Sequence, residues 1–224
     1  MKILAISDIH GAYGKAEAII KNEAADVVIL AGDLTTVGSV KEAERAIGQL
    51  ASAASRLLAI AGNMDLPQHD ELFVRLGVSI AGRGVEIGGV GFFGVSASPF
   101  TPMHTPYEIP EEEIAARLAA GYGEIRHCRR KVLIPHAPPY GTRVDIVHAG
   151  YHVGSTAVRE MIETAEPDVV ICGHIHEGRG EDTIGATKIV NCGSAADGYY
   201  AVIHIGEETV ISLCQLRSLG TSPT

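Results

Sequence analysis

The chain has 224 residues, 46% of them hydrophobic, which suits one large domain or two small ones with a substantial core. Its formal net charge of −9 argues against a general nucleic-acid-binding protein, because such proteins usually present a basic stripe. No apolar run approaches the roughly 20 residues of a membrane-spanning helix, and residues 1–8 lack the features of a signal peptide. Four cysteines without a CxxC pair fit buried, reduced thiols, so we expect a cytoplasmic protein.

The first 63 residues alternate between short apolar runs and segments with helical spacing. The apolar runs 2–6, 26–31 and 56–61 predict buried strands, and segments 15–22 and 40–54 predict helices between them. This alternation is typical of βαβ units, which form a parallel sheet.

Beyond Asn63 the pattern changes, and residues 78–98 resemble short strands punctuated by six glycines. A Pro- and Thr-rich loop, 99–110, precedes a helix that begins after Pro110, with acids in its first turn, and runs to about residue 120. The remaining predicted elements are a strand 131–134, a long loop 137–154, a helix from its cap Ser155 to Glu166, and strands 168–172, 187–191, 199–205 and 209–216.

These elements predict an α/β fold in which two mixed sheets pack face to face with helices outside. A single doubly wound sheet and a pair of separable domains are the alternatives. No linker is visible, so we expect residues 1–217 to form one domain and residues 218–224 to form a flexible tail.

Five short segments carry metal-binding side chains directly after an apolar run. The candidate ligands are Asp8, His10, Asp33, Asn63, His136, His174 and His176. Each segment alone could be a helix cap, a turn or an ordinary loop residue. Because ligands in open α/β sheets collect beyond the carboxyl ends of strands, the five together are expected to converge. Glycine precedes three of these ligands, where it would permit sharp turns and close backbone approach.

Two carboxylates, one amide oxygen and four imidazoles suit Mn, Fe, Co, Ni or Zn better than Ca or Mg. The set is large enough for two divalent ions. Two ions about 3.5–4 Å apart can hold both the attacking and the leaving oxygen of a phosphoryl displacement. The donor set therefore predicts metal-assisted hydrolysis.

Taken in order, five motifs strongly resemble the calcineurin-like metallophosphoesterase superfamily. They are Asp8-Ile9-His10-Gly11, Gly32-Asp33, Gly62-Asn63-Met64-Asp65, His136 and Gly173-His174-Ile175-His176. The stretches 136–142 and 173–180 are similar to its small prokaryotic members. The resemblance implies a four-layer α/β/β/α sandwich and two divalent ions, with manganese the first expectation. It also implies that a water or hydroxide between the ions attacks phosphorus.

The resemblance further assigns each ligand to an ion. Asp8, His10 and His176 would hold one ion, and Asn63, His136 and His174 would hold the other. Asp33 would bridge both ions.

Two positions depart from the family pattern. Many relatives have histidine after the asparagine, but here that residue is Met64, which cannot donate a proton. Either another group supplies the proton, or the substrate has a good leaving group, or the metals suffice. The candidates for a replacement acid are His104, His148 and His152, each of which could be an ordinary loop histidine, and we prefer His152 because it lies between His136 and the next helix cap. Cys192 stands where relatives often have proline, and we interpret it as a buried structural residue.

Tyr140, Arg143 and Arg179 are candidate substrate contacts, because the arginine fork matches phosphate oxygens, although each could be an ordinary surface residue. The leading hypothesis is a metal-dependent hydrolase of small phosphomonoesters, phosphodiesters or nucleotides. A nuclease is disfavoured by the acidic charge. A metal-retaining binding or regulatory protein without turnover is the other alternative, suggested by Met64. A homodimer is expected only from base rates.

Overall fold

The computed structural model describes residues 1–216, so the expected flexible tail, 218–224, lies outside the described residues. Its strands are β1 (Lys2–Ile6), β2 (Val27–Ala31), β3 (Leu57–Ile60), β4 (Gly84–Ile87), β5 (Val90–Val95), β6 (Arg130–Pro135), β7 (Val169–Cys172), β8 (Gly180–Ile184), β9 (Thr187–Asn191), β10 (Tyr199–Ile205) and β11 (Thr209–Gln215). Its α-helices are α1 (Tyr13–Glu23), α2 (Val40–Ala53), α3 (Gln68–Arg75), α4 (Glu111–Ile125) and α5 (Thr156–Ala165).

The strands form two mixed sheets. The first has the order β11-β10-β1-β2-β3, in which β1, β2 and β3 are parallel and β10 is antiparallel to both neighbours. The second has the order β4-β5-β6-β7-β9-β8, with β5, β6, β7 and β9 parallel and an antiparallel strand at each edge.

Strand alternation places two apolar layers on each sheet. In β1, Ile3 and Ala5 belong to the core between the sheets, whereas Leu4 and Ile6 face the helices. Helices α1 and α3 contact the first sheet, and α4 packs on β4 and β5 of the second. The four-layer α/β/β/α sandwich with two mixed sheets is therefore confirmed, and the single doubly wound sheet is wrong.

The sequence patterns missed two elements. Helix α3 has only eight residues, and a segment of about two turns carries little helical periodicity. Strand β8 has the sequence Gly-Glu-Asp-Thr-Ile and lies at a sheet edge. Its alternate residues Glu181 and Thr183 are exposed, so the strand lacks the apolar run that marks a buried strand. Helix α4 also runs five residues beyond its expected end at residue 120.

The helix cap and most of the thiols match expectation. The Ser155 hydroxyl accepts a hydrogen bond from the Val158 amide at 3.1 Å, which makes Ser155 the cap of α5. Cys128, Cys172 and Cys192 are buried, whereas Cys214 is only partly buried because β11 is an edge strand. Within residues 1–216, no helix has the length and apolarity needed to cross a bilayer.

Candidate metal centre

Five parallel strands end at the same place, three from the first sheet and two from the second. Each ends one to three residues before an expected ligand: Asp8 after β1, Asp33 after β2, Asn63 after β3, His136 after β6 and His174 after β7. Polar atoms of all seven expected ligands lie within 4.0 Å of a polar atom of another member. The structure therefore brings the whole predicted set together.

Asp33 lies between two groups of donors. Asp8, His10 and His176 form the first group, and Asn63, His136 and His174 form the second. The Asp33 Oδ2 atom is 3.6 Å from His10 Nε2 and 3.5 Å from His136 Nε2. On the first side, His176 Nε2 is 3.2 Å from Asp8 Oδ1. One oxygen of Asp33 thus lies within 3.6 Å of an imidazole nitrogen from each group.

The second group surrounds one amide oxygen. Asn63 Oδ1 lies 2.9 Å from His136 Nε2 and 2.8 Å from His174 Nδ1. His136 donates its Nδ1–H to the Ala31 carbonyl oxygen, 2.8 Å away, which leaves Nε2 directed at the Asn63 amide oxygen. An imidazole nitrogen and an amide oxygen this close need a proton or a cation between them.

Backbone strain is concentrated at these ligands. Asp8, His10, Asp33 and His174 have φ values of 54°, 46°, 51° and 67°, a left-handed region that side chains other than glycine rarely adopt. Strained residues persist where the surrounding structure holds them, and they cluster at functional sites. The turns after β1, β2 and β7 direct four ligands back across the strand ends.

Three glycines allow the strand ends to approach closely, and a Cβ atom at the first, Gly32, would overlap the His136 imidazole. A Cβ atom at Gly62 would overlap the Asp33 carboxylate, and one at Gly173 would overlap the Ser7 hydroxyl and an Asp8 carboxylate oxygen. The expectation of close backbone approach beside Asn63 and His174 is confirmed at these positions.

A buried carboxylate fixes the turns that carry Asp33 and Asn63. Asp65 accepts hydrogen bonds from the backbone amides of Leu34, Thr35 and Gly62 at 2.8–3.0 Å. Burial alone would raise the Asp65 pKa, but the His69 imidazole 3.5 Å away and the hydrogen bonds from the Gly62 and Thr35 amides hold it below its usual value. Asp65 therefore remains an acceptor that joins the two ligand turns.

Asn191 supports the His174 turn from the second sheet. Its Nδ2 group donates to the carbonyl oxygens of Ile175, Gly173 and Val144 at 2.8, 3.2 and 3.3 Å. His10 has similar support, because its Nδ1 lies 2.9 Å from the Thr36 hydroxyl. Outer contacts of this kind fix the orientation of metal ligands.

The electrostatics of the cluster suit bound cations. Burial lowers the pKa of both His136 and His174, but the Asp33 carboxylate reverses this at His136 and raises its pKa to about 9. His174, beside His136, has its pKa lowered to about 3. Burial raises the Asp8 pKa, but the hydrogen bond from His176 and the nearby His136 lower it to about 2. Ionised carboxylates and a neutral imidazole are the forms that bind metals.

The donor chemistry therefore fits two divalent transition-metal ions. Donor atoms of Asp8, His10 and His176 lie within 4.8 Å of one another, as do those of Asp8, Asp33 and His136. Asn63 Oδ1 and His136 Nε2, 2.9 Å apart, both face the centre, and a bound cation could replace the proton between them.

A cavity of about 700 Å³, named the loop cavity, opens beside Asn63 and His174. Its walls come from loop residues 99–105 and 140–154. Tyr140 and His152, both expected at the site, line it. The loop cavity thus adjoins the Asn63 side of the centre.

His152 is paired with a buried carboxylate. Its Nδ1 lies 2.7 Å from Asp145 Oδ1, and its ring makes an edge contact with Tyr140 at a centroid distance of 5.8 Å. Asp145 is fully buried. The pair has the arrangement of an imidazole oriented by an acid.

The two expected arginines lie elsewhere, and neither lines the loop cavity. Arg143 is exposed and pairs with Asp182 at 3.4 Å. The Arg179 guanidinium stacks over the Tyr199 ring at 4.4 Å and donates to the Cys214 carbonyl oxygen. Both side chains have local partners, so this geometry does not support the expected substrate contacts.

Sequence reasoning missed several supporting residues. Asp145 carried one available signal, because Thr142-x-x-Asp145 has the spacing of a capping box, and the structure contains that box. Asn191 and Thr36 carried none, since their roles depend on which loops meet in space. Of the other candidate acids, neither His104 nor His148 lines the loop cavity.

Comparison with known proteins agrees with this fold and donor set. The sequence profile of the family described as calcineurin-like phosphoesterase matches residues 1–178. The chain is 35% identical over 195 residues to the uncharacterized protein MJ1162 of Methanocaldococcus jannaschii, covering 85% of this chain and 87% of that protein.

Two solved structures share the fold. The protein TT1561 of Thermus thermophilus has a TM-score of 0.76 at 20% identity, covering 96% of this chain and 99% of its own. A dimetal phosphatase from Danio rerio has a TM-score of 0.69 at 12% identity, covering 95% of both chains. The chain belongs to the calcineurin-like phosphoesterase family, which confirms the resemblance inferred from its five motifs.

Proposed function

We propose that this protein hydrolyses small phosphomonoesters or phosphodiesters with the help of two divalent transition-metal ions. Asp8, His10 and His176 would hold one ion, and Asn63, His136 and His174 would hold the other. Asp33 would bridge them. The observation that carries the proposal is the position of Asp33 Oδ2, 3.6 Å from His10 Nε2 and 3.5 Å from His136 Nε2.

When bound, such ions supply positive charge for the phosphoryl group and make water a better nucleophile near neutral pH. The chain's own residues do the rest. Asn63 and His174 border the loop cavity, so the ester group of a phosphate at the centre can extend into it. His152 also lines the cavity, and we assign it the donation of a proton from Nε2 to the leaving alcohol. Asp145 accepts from Nδ1 and positions the ring.

Replacement of Asp33 tests the proposal most directly. Asp33→Asn protein, loaded with manganese, is expected to bind fewer ions and to lose turnover by at least about a hundredfold, because one change touches both ions. The measurements are metal content by elemental analysis and release of p-nitrophenol from p-nitrophenyl phosphate and bis-p-nitrophenyl phosphate.

Asp182→Asn is the matched control, since Asp182 is a carboxylate that pairs with exposed Arg143 away from the centre. It should retain both ions and full turnover. Two ions and unchanged turnover in Asp33→Asn protein would contradict the bridging role. A wild-type protein that holds two ions yet cleaves neither compound would favour a metal-retaining binding protein instead.

A further inference from the structure

The walls of the loop cavity are held in place by hydrogen bonds within its two loops. Glu108 organises the loop before α4: its carboxylate accepts from the amide and hydroxyl of Thr101 and from the amide and hydroxyl of Thr105, at 2.6–3.1 Å. The Tyr107 amide donates to the Asn63 carbonyl oxygen at 3.0 Å, which joins this loop to a candidate ligand.

The opposite wall is organised in the same way by Asp145. Its carboxylate accepts from the amides of Gly141, Thr142 and Gly154 at 2.9–3.1 Å, besides His152. Each loop is therefore folded around one carboxylate. A cavity between two such loops is preformed, as binding sites for small molecules usually are.

The surface of the loop cavity is mainly apolar. Its apolar side chains include Phe100, Met103, Tyr140, Val147, Val153 and Ile175. Phe100 and Met103 are 70% and 82% exposed, and an apolar ligand would remove this surface from water.

The charge of the wall disfavours a polyanionic occupant. Among the described residues that line the cavity, none is lysine or arginine, and two, Glu111 and Glu177, are acidic. A second phosphate would find no lysine or arginine there and would face two carboxylates.

The polar groups of the wall are largely engaged already. The Thr101 and Thr105 hydroxyls both donate to Glu108. The Glu111 carboxylate accepts from the Ser155 hydroxyl and from the Thr156 and Ala157 amides at the start of α5. A nucleobase, whose edge needs several hydrogen-bond partners, would lose those partners on entry.

We infer that the loop cavity binds the alcohol part of the substrate, and that this part is uncharged and apolar. The substrate class is then a phosphate ester of an alkyl or aryl alcohol, with one phosphate at the metal centre. This inference rests on the proposed function for the place of the phosphate, and it narrows that function by disfavouring nucleotides and polyphosphates.

A binding series separates the inference from turnover. Methyl-, butyl- and hexylphosphonate, which have no ester bond to cleave, are titrated calorimetrically into the manganese-loaded protein. Affinity is expected to rise about fourfold for each added methylene, as burial of a methylene in an apolar site predicts. Adenosine monophosphate and pyrophosphate should bind more weakly than hexylphosphonate.

A double variant locates the effect. Phe100→Ser with Met103→Ser is expected to bind methylphosphonate as the wild type does but to lose most of the gain from butyl to hexyl. Both side chains are exposed, so their removal leaves the core intact. Val210→Ser is the control, because Val210 is a 52% exposed apolar residue on β11 and does not line the cavity.

Equal affinity for all three phosphonates, tighter binding of pyrophosphate or nucleotide, or an unchanged series in the double variant would overturn the inference. A clear chain-length series without hydrolysis of any ester would support the apolar site while contradicting the proposed function. Hydrolysis of p-nitrophenyl phosphate together with equal affinity for all three phosphonates would support the proposed function and contradict the apolar site.

Discussion

The main chain and the side chain of one residue can contribute differently to this centre, as Met64 shows. Its backbone amide donates to Asp33 Oδ1 at 2.8 Å, so this position supports the centre through the main chain. Its thioether has no proton to give. A leaving alcohol must therefore take its proton elsewhere, and His152 faces the same cavity with one ring nitrogen already held by Asp145.

The role of His152 predicts a dependence on the leaving group. His152→Ala should slow hydrolysis of alkyl phosphates by about 10²–10⁴-fold, the range typical of a lost general acid. Turnover of p-nitrophenyl phosphate should change little, because p-nitrophenolate leaves without protonation. The measurement is kcat for both substrate types, with His148→Ala, an exposed loop histidine outside the cavity, as the control. An equal loss on both types would sink the assignment.

At the scale of whole elements, Glu108 makes the stability of the loop before α4 depend on pH. Burial raises the Glu108 pKa, but hydrogen bonds from Thr101 and Thr105 lower it from 4.5 to about 2. A carboxylate whose pKa is lower in the folded state stabilises the fold above its unfolded pKa. That stabilisation is lost as pH falls from about 4.5 toward about 2.

Glu108→Gln should therefore lower Tm at pH 7. The difference in Tm between this variant and the wild type should shrink as pH falls from 5 to 3. Thermal unfolding across that range measures the difference. Glu160→Gln, at an exposed position of α5, is the control and should show no such trend. A difference that stays constant with pH would mean that the ionised form of Glu108 does not stabilise the loop.

The N-terminus of α5 is anchored more firmly than that of α2. The Ser155 hydroxyl accepts from the Val158 amide and also donates to Glu111 at 2.6 Å. Among residues 1–216, the Ser39 hydroxyl has one hydrogen-bond partner, the Glu42 amide, from which it accepts. Ser155→Ala should lower the free energy of unfolding by about 1–2 kcal/mol, and Ser39→Ala by about 0.5–1 kcal/mol. Urea unfolding compares them, and an equal cost would show that the bond to Glu111 adds nothing.

The sequence alone predicted which side chains converge at the strand ends but did not predict the loop cavity, for physical reasons. Asp8, Asp33 and His174 follow buried strands directly, so local hydrophobic pattern fixes where they emerge. The direction of a loop side chain depends instead on tertiary neighbours. Arg179 lies only three residues after His176, yet its guanidinium packs on Tyr199, a residue brought there by β10.

At the scale of the whole molecule, two sheets contribute to one centre, so ion binding should be linked to global stability. Ions that bind only the folded state raise its stability by mass action. For a chain of this size, manganese at about 100 times its Kd should raise Tm by about 5–10 °C for each ion bound.

Calorimetric unfolding of metal-free protein with added manganese measures that shift, and calcium should give a smaller one because the donor set is rich in imidazole. Asp33→Asn should reduce the manganese shift. A Tm that does not respond to manganese would contradict a centre built from both sheets.

The position of β1 has a consequence for biosynthesis. This first strand pairs on one side with β10, and the carbonyl oxygens of Ser7 and Asp8 accept hydrogen bonds from the amides of Ala195 and Ala196. A nascent polypeptide that still lacks those late residues leaves Asp8 without this support. We therefore expect the protein to emerge from the ribosome unable to retain its ions and to acquire them only after translation has passed β10.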